Sequence, residues 1–168
     1  MSSNEDKLLV ASLNQCIEVC IDAERAYAIA AATARDASLK TFLRAQCNER
    51  ADFVQRLQRA VVELGAYPEN EGTTKGALRR RFMDIERGFE PWHDDRRVIA
   101  DALREERAAR DSYDRALPAA RADEMPIDVR IMLREQRAAM ELASDELGRQ
   151  LASAPRPAAR REARAPNT

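Results

Sequence analysis

Apolar residues recur every three or four positions through most of this chain, the spacing that sets one face of an α-helix against a core. The first run, Leu9, Leu13, Cys16, Cys20, Ala23, Tyr27, Ala30 and Ala34, predicts a helix from about residue 5 to 35. The polar segment Arg35-Asp36-Ala37-Ser38 predicts a tight turn. Phe42, Phe53, Leu57, Val61 and Leu64 then predict a second helix from about 39 to 64, stopped by Gly65. At 1.5 Å per residue each helix is roughly 40 Å long, and so short a link makes the two antiparallel. Beyond Tyr67-Pro68-Glu69-Asn70-Glu71-Gly72 the pattern loosens. There Thr73 or Thr74 can cap a shorter helix through Ala77, Leu78, Phe82, Ile85 and Phe89, ended by Gly88 and Pro91. Asp94 or Asp95 can cap a third long helix carrying Ile99, Leu103, Glu106, Ala109, Tyr113 and Ala116 as far as Pro118. A fourth, from about 127 to 151, offers Ile131, Leu133, Met140, Ala143, Leu147 and Leu151 for burial.

Two helical hairpins joined by a long crossover predict an all-α, ferritin-like antiparallel four-helix bundle over residues 1–152, with a short extra helix in the crossover. The Ala/Pro/Arg-rich stretch 153–168 has no apolar face to bury and is expected to be a disordered tail. Composition agrees. In 168 residues there are 5 Gly and only 5% aromatics, too little turn and strand chemistry for a sandwich or barrel.

Charge and reactive residues narrow the function. The formal net charge is −1, and the tail sets Arg156, Arg160, Arg161 and Arg164 against Glu162 alone, which leaves the body acidic. Nucleic acid, whose affinity rests on many cation–phosphate contacts, is therefore expected to be touched weakly through the tail or not at all. No apolar run approaches a membrane span, and the acidic N-terminus MSSNEDKLLV is unlike a signal peptide, so a cytoplasmic protein without a membrane partner is expected. Cys16, Cys20 and Cys47 form no CxxC pair and are read as reduced core residues. The single histidine, His93, sits in a short loop between Trp92 and Asp94, and the scattered glycines build no phosphate loop. Arg79-Arg80-Arg81 reads as a solvated rim. No reaction emerges from these residues, and a non-enzymatic role is the first reading.

The chemistry worth following lies in three acids on apolar stripes. Glu24 follows Leu13, Ile17 and Cys20; Glu49 falls in line with Phe42, Phe53 and Leu57; Glu106 lies with Ile99, Leu103 and Tyr113. Folding the first hairpin about residues 37–38 brings Glu49 near Glu24 and Tyr27. Buried carboxylates are tolerable when they bind a metal, share a proton or meet an arginine. Arg25, Arg50, Arg107 and Arg137 are the available cations. The first expectation is an internal ion-pair and hydrogen-bond network of Glu24, Glu49, Glu106, Tyr27 and Gln136, with no cofactor. The alternative is a metal site on Glu24, Glu49 and Glu106. Lacking imidazoles, that site suits a hard divalent ion better than a redox-active iron pair. The one literal Glu-x-x-His, Glu90-Pro91-Trp92-His93, is broken by its proline.

Several strings together carry a family resemblance. These are Leu13-Asn14, Asp22-Ala23-Glu24-Arg25-Ala26-Tyr27, Ala30-Ala31, Asn48-Glu49-Arg50-Ala51-Asp52-Phe53, Leu64-Gly65 with Pro68-Glu69, and Gly72 with Gly76-Ala77-Leu78. From about residue 8 to 151 the chain resembles the bacterial ferritin-like four-helix-bundle family called domain of unknown function 2383. The resemblance implies a ferritin-like bundle, cytoplasmic, often given stress-associated roles, with no settled reaction. It also implies a depleted site. Family members usually read Ala-Ala-Glu at Ala30-Ala31-Ala32 and His-Arg-Gly-Trp at Arg79-Arg80-Arg81-Phe82, with an acid near Leu103 and a histidine near Ser144. The expected function is thus a non-enzymatic bundle, self-associating or partner-binding, with a degenerate metal site. Phe82, Phe89 and Trp92 on the crossover are the candidate interface, since aromatics are favoured at interface centres. A carboxylate metal-binding protein, conceivably a di-metal oxidoreductase, is the alternative.

Overall fold

The computed structural model describes residues 3–73, 94–119 and 125–154. Among them are four helices: α1 (Ser3–Thr33), α2 (Ala37–Glu63), α3 (Asp95–Ala119) and α4 (Ile127–Ser153). Neighbours in the ring are α1 with α2, α1 with α3 and α3 with α4, while α2 and α4 touch least. The all-α four-helix bundle expected from the periodicity is what forms. No helix among the described residues is long and apolar enough to cross a membrane. The expected crossover helix, Arg79-Arg80-Arg81, Phe82, Phe89, Trp92, His93 and the tail beyond residue 154 lie outside the described residues.

The ends of the helices are set by local polar chemistry. The turn between α1 and α2 is tighter than the sequence suggests, because Asp36 caps α2 by accepting from the Leu39 amide at 2.8 Å. Asp95 at the start of α3 reaches this same turn, its carboxylate accepting from the amides of Arg35 at 2.7 Å and Asp36 at 2.9 Å. One acid thereby joins the two hairpins at one end. At the other end Gly65 takes φ +75, and Gly65 N donates to Val62 O at 2.9 Å while Ala66 N donates to Val61 O at 3.1 Å. That pair of bonds is a Schellman stop, which needs a residue at ease in the left-handed region.

After the stop the chain doubles back along α1. The Asn14 side-chain oxygen accepts from Glu69 N at 3.0 Å, and Gln58 Nε2 donates to Glu69 O at 2.9 Å, so α1 and α2 both hold the strap. Further along, the buried Asp22 carboxylate accepts from the Thr73 amide at 3.0 Å and from the Thr73 hydroxyl. Gly72 lies flat against that carboxylate, where a Cβ would overlap Asp22 Oδ1. At the far end of α4, Arg96 Nη1 donates to Leu151 O at 2.7 Å, supplying a carbonyl that the helix leaves unpaired.

Two apolar clusters fill the interior. One joins Leu13, Ile17, Phe53, Leu57, Val61, Tyr113, Leu133 and Met140; the other joins Tyr27, Leu39, Leu43, Ile99, Leu103 and Leu147. Cys16 and Cys20 are buried free thiols, as expected of core cysteines, and Cys47 is a half-buried one. One candidate core residue is misplaced: Ile131 is 49% exposed. It lies roughly 200° round the helix from Leu133, and the buried face of α4 runs instead through Val129, Met132, Leu133, Gln136, Met140 and Leu147.

Gly72→Ala is expected to lower stability by about 1–2 kcal/mol, since the new methyl must push the strap off Asp22. Asp22→Ala disrupts the same anchor, so the double variant loses less than the sum. Urea unfolding of the three variants checks this; full additivity would contradict it.

Candidate functional site

Between the two apolar clusters lies one charged layer. Arg50 descends from α2 into the bundle axis and is 0% exposed; Glu106 comes from α3 and is also 0% exposed. Arg50 sits seven residues after Leu43 and seven before Leu57, both fully buried, so the helix period carries it into the core. Its Nη2 donates to Glu106 Oε1, and its Nε to Glu106 Oε2 at 3.3 Å. The pairing is a fork on a carboxylate, the geometry in which arginine binds most strongly. Tyr27 Oη from α1 donates to Glu106 Oε2 at 2.8 Å. At the rim Arg50 Nη1 donates to Glu49 Oε2 at 2.7 Å and Nη2 reaches Gln46 Oε1 at 3.3 Å. The guanidinium carbon stands 4.9 Å from the Phe53 ring centre and 5.7 Å from that of Tyr27, so the cation is also faced by aromatic rings.

A second polar group lies deeper in the first cluster. Tyr113 Oη donates to Gln136 Oε1 at 2.6 Å, and the Cys20 sulfur lies 3.2 Å from the same hydroxyl. Gln136 Nε2 and Ser144 Oγ, both buried, have no hydrogen-bond partner. Ser144 falls between Met140 of one cluster and Leu147 of the other, the same interval of the bundle in which Arg50 and Glu106 meet.

Burial is the largest electrostatic influence on these groups. Burial opposes the charge on Arg50, but Glu106 and the hydrogen bonds to it outweigh that and hold the guanidinium protonated. Burial pushes the Glu106 carboxyl above its usual range, against the opposing pull of Arg50 and Tyr27. The phenols of Tyr27 and Tyr113 are raised, chiefly by burial, as is the Cys16 thiol; burial pushes the Cys20 thiol up to about 12. The thiols and phenols therefore stay protonated near neutral pH and supply no thiolate or phenolate nucleophile.

Of the three acids expected at a site, the structure brings two to one cation. Glu106 is buried on Arg50, and Glu49 reaches Arg50 with a side chain 39% exposed. Glu24 stays apart, half-buried, its carboxyl raised by burial and lowered by Arg25. Gln136 belongs to the Tyr113 group and does not join the Glu106 network. Among the described residues no group of three or more His, Cys, Asp and Glu side chains is placed to hold a metal ion. What the stripe reading missed is that Arg50 is the hub, although its spacing from Leu43 and Leu57 was there to be seen.

Residues 9–119 match the family described as Domain of unknown function (DUF2383). A solved structure, "ferritin like, diiron-carboxylate proteins" from Bacillus anthracis str. Ames, is similar to this chain with a TM-score of 0.71 and 20% identity. The alignment covers 90% of this chain and 99% of that one. No curated protein matches the chain.

Removing one member of the buried pair strands the other. Arg50→Met is expected to cost about 3–5 kcal/mol, and Arg50→Met with Glu106→Leu to regain most of it. A double variant no more stable than Arg50→Met would refute the pairing. For pH, a carboxyl held above its ordinary 4.5 binds more protons folded than unfolded as pH rises past that value. The Glu106 contribution to stability therefore declines with rising pH across that window. In urea unfolding from about pH 4 upward, the stability of wild type relative to Glu106→Gln should fall. A relative gain would reverse the sign.

Proposed function

We propose, for a chain that belongs to the DUF2383 family, a non-enzymatic ferritin-like bundle that works through its outer surface as a self-associating or partner-binding protein. A stress-associated role fits that reading. The observation that supports it is Arg50: the centre of the bundle already holds a cation, and it is covalently part of the protein. The solved neighbour is named for a di-iron carboxylate centre.

The residues do not fit it. A bridged iron pair is held by several carboxylates with imidazoles converging from facing helices. Here the one fully buried acid of the layer is forked by a guanidinium and hydrogen-bonded by a phenol. Glu49 serves the same guanidinium. At the level where α4 faces this layer stands Ser144, a hydroxyl rather than an imidazole. A metal ion arriving at Glu106 would have to displace Arg50 and leave a buried positive charge beside itself, an arrangement strongly penalised at low dielectric. The carboxylates thus act as internal counter-ions, and what remains for function is the surface.

Elemental analysis of untagged protein after incubation with ferrous iron or manganese checks the reading, with Glu106→Ala as comparison. The expected result is no stoichiometric metal in either protein. Metal bound by wild type and lost in Glu106→Ala would overturn it.

A further inference from the structure

We infer that two copies of this chain associate through the outer face of α4, in an antiparallel two-fold pairing centred on Ala138; the inference rests on the self-association reading above and names its surface. The buried face of α4 is complete without the opposite side, yet that opposite side carries exposed apolar residues among its charges. Ile127 is 59% exposed, Ile131 49% and Leu142 70%, and exposed Ala138 continues the same line. At 100° per residue these four fall within roughly a 60° sector, pointed away from the core.

The charges on that face are set for a second copy. Arg134 and Asp145 are both exposed, border the apolar line on one side, and have no ion-pair partner among the described residues. In an antiparallel two-fold pairing, residues on the same side of each helix come together. With the axis at Ala138, Ile131 of one copy comes beside Leu142 of the other on one side of the seam. On the other side Arg134 comes beside Asp145 of the second copy. Each contact occurs twice, as an isologous interface requires. Ala138 at the crossing point has a small side chain, which lets the axes approach to about 8 Å. Other charges of α4 are already paired within the chain: Glu135 with Arg56, and Arg137 with Asp114 and Glu141. A single helix face covers less than the roughly 800 Å² per partner of a standard interface, so the association is weak and concentration-dependent.

Sedimentation velocity from about 10 µM to 1 mM brackets the affinities such a small interface gives. Wild type is expected to shift from monomer to dimer across that range. Ala138→Glu, which is exposed in the monomer, should weaken the dimer by roughly tenfold or more. Arg134→Glu and Asp145→Arg should each weaken self-association, because each places like charges together, while a mixture of the two should form a mixed dimer in which both contacts become attractive. As a test of register, Ala138→Cys in a Cys47→Ser background should give a disulfide-linked dimer on mild oxidation, and Arg107→Cys on exposed α3 should not. Wild type that stays monomeric throughout overturns this inference, as does a dimer indifferent to all α4 variants. The second result leaves self-association through another face standing, so the two failures are told apart. Circular dichroism of each variant confirms that the bundle is folded.

Discussion

A full positive charge on the axis of a bundle can persist only if something pairs it, and in this protein that requirement is met by Arg50 and Glu106. Both are removed from water, where an unpaired ion would cost several kcal/mol, a large share of the stability of a domain this size. Because Arg50 comes from α2 and Glu106 from α3, helices on opposite corners of the bundle are joined through its centre. Tyr27 adds α1 to the same carboxylate. The pair also divides the apolar interior into its two clusters, so it acts on register. A slide of α2 by one turn, about 5.4 Å, would bury the guanidinium among leucines. Such a pair adds little net stability over an apolar substitute, but it penalises wrong alignments heavily.

The helices were legible from the three-and-four spacing, and their observed ends fall within a few residues of the expected ones. The periodicity also put Glu106 inside. It did worse at the edges of each stripe, for a geometric reason. A residue some 50° off the centre of a helical face is buried or half-exposed according to the neighbour it meets, and that neighbour is a tertiary fact. Glu24 and Glu49 are such edge positions, both half-buried. Charge raised a different difficulty. An arginine at a core position looks like an interruption of the pattern, so Arg50 was readable as one of several free cations when its place between Leu43 and Leu57 made it the partner Glu106 needed. The apolar character of Ile131 misled in the opposite way, since hydrophobicity alone does not say which side of a helix is inward.

Polar residues outside the core do the positioning. Asp95 ties the α1–α2 turn to the start of α3, and Asp22 with Asn14 guides the strap along α1 before the crossover begins. These contacts use backbone amides as donors, so they depend on where the chain passes and little on which side chains it carries there. A scaffold fixed in this way can keep its shape while its central chemistry changes. A likeness to a di-iron carboxylate protein at 20% identity is then a statement about helices and loops.

The separation of scaffold from chemistry bears on where selection can act. In a metal-binding bundle the interior must stay hydrophilic enough to admit an ion, and that openness costs packing. Closing the centre with an internal ion pair removes the need for access. Among the described residues the unmet buried groups are Gln136 Nε2, Ser144 Oγ and Arg110 Nε. Among the described residues, the outer side of α4 sets the exposed Ile127, Ile131 and Leu142 beside Arg134 and Asp145, and that self-complementary order is why a second copy is the partner proposed for it.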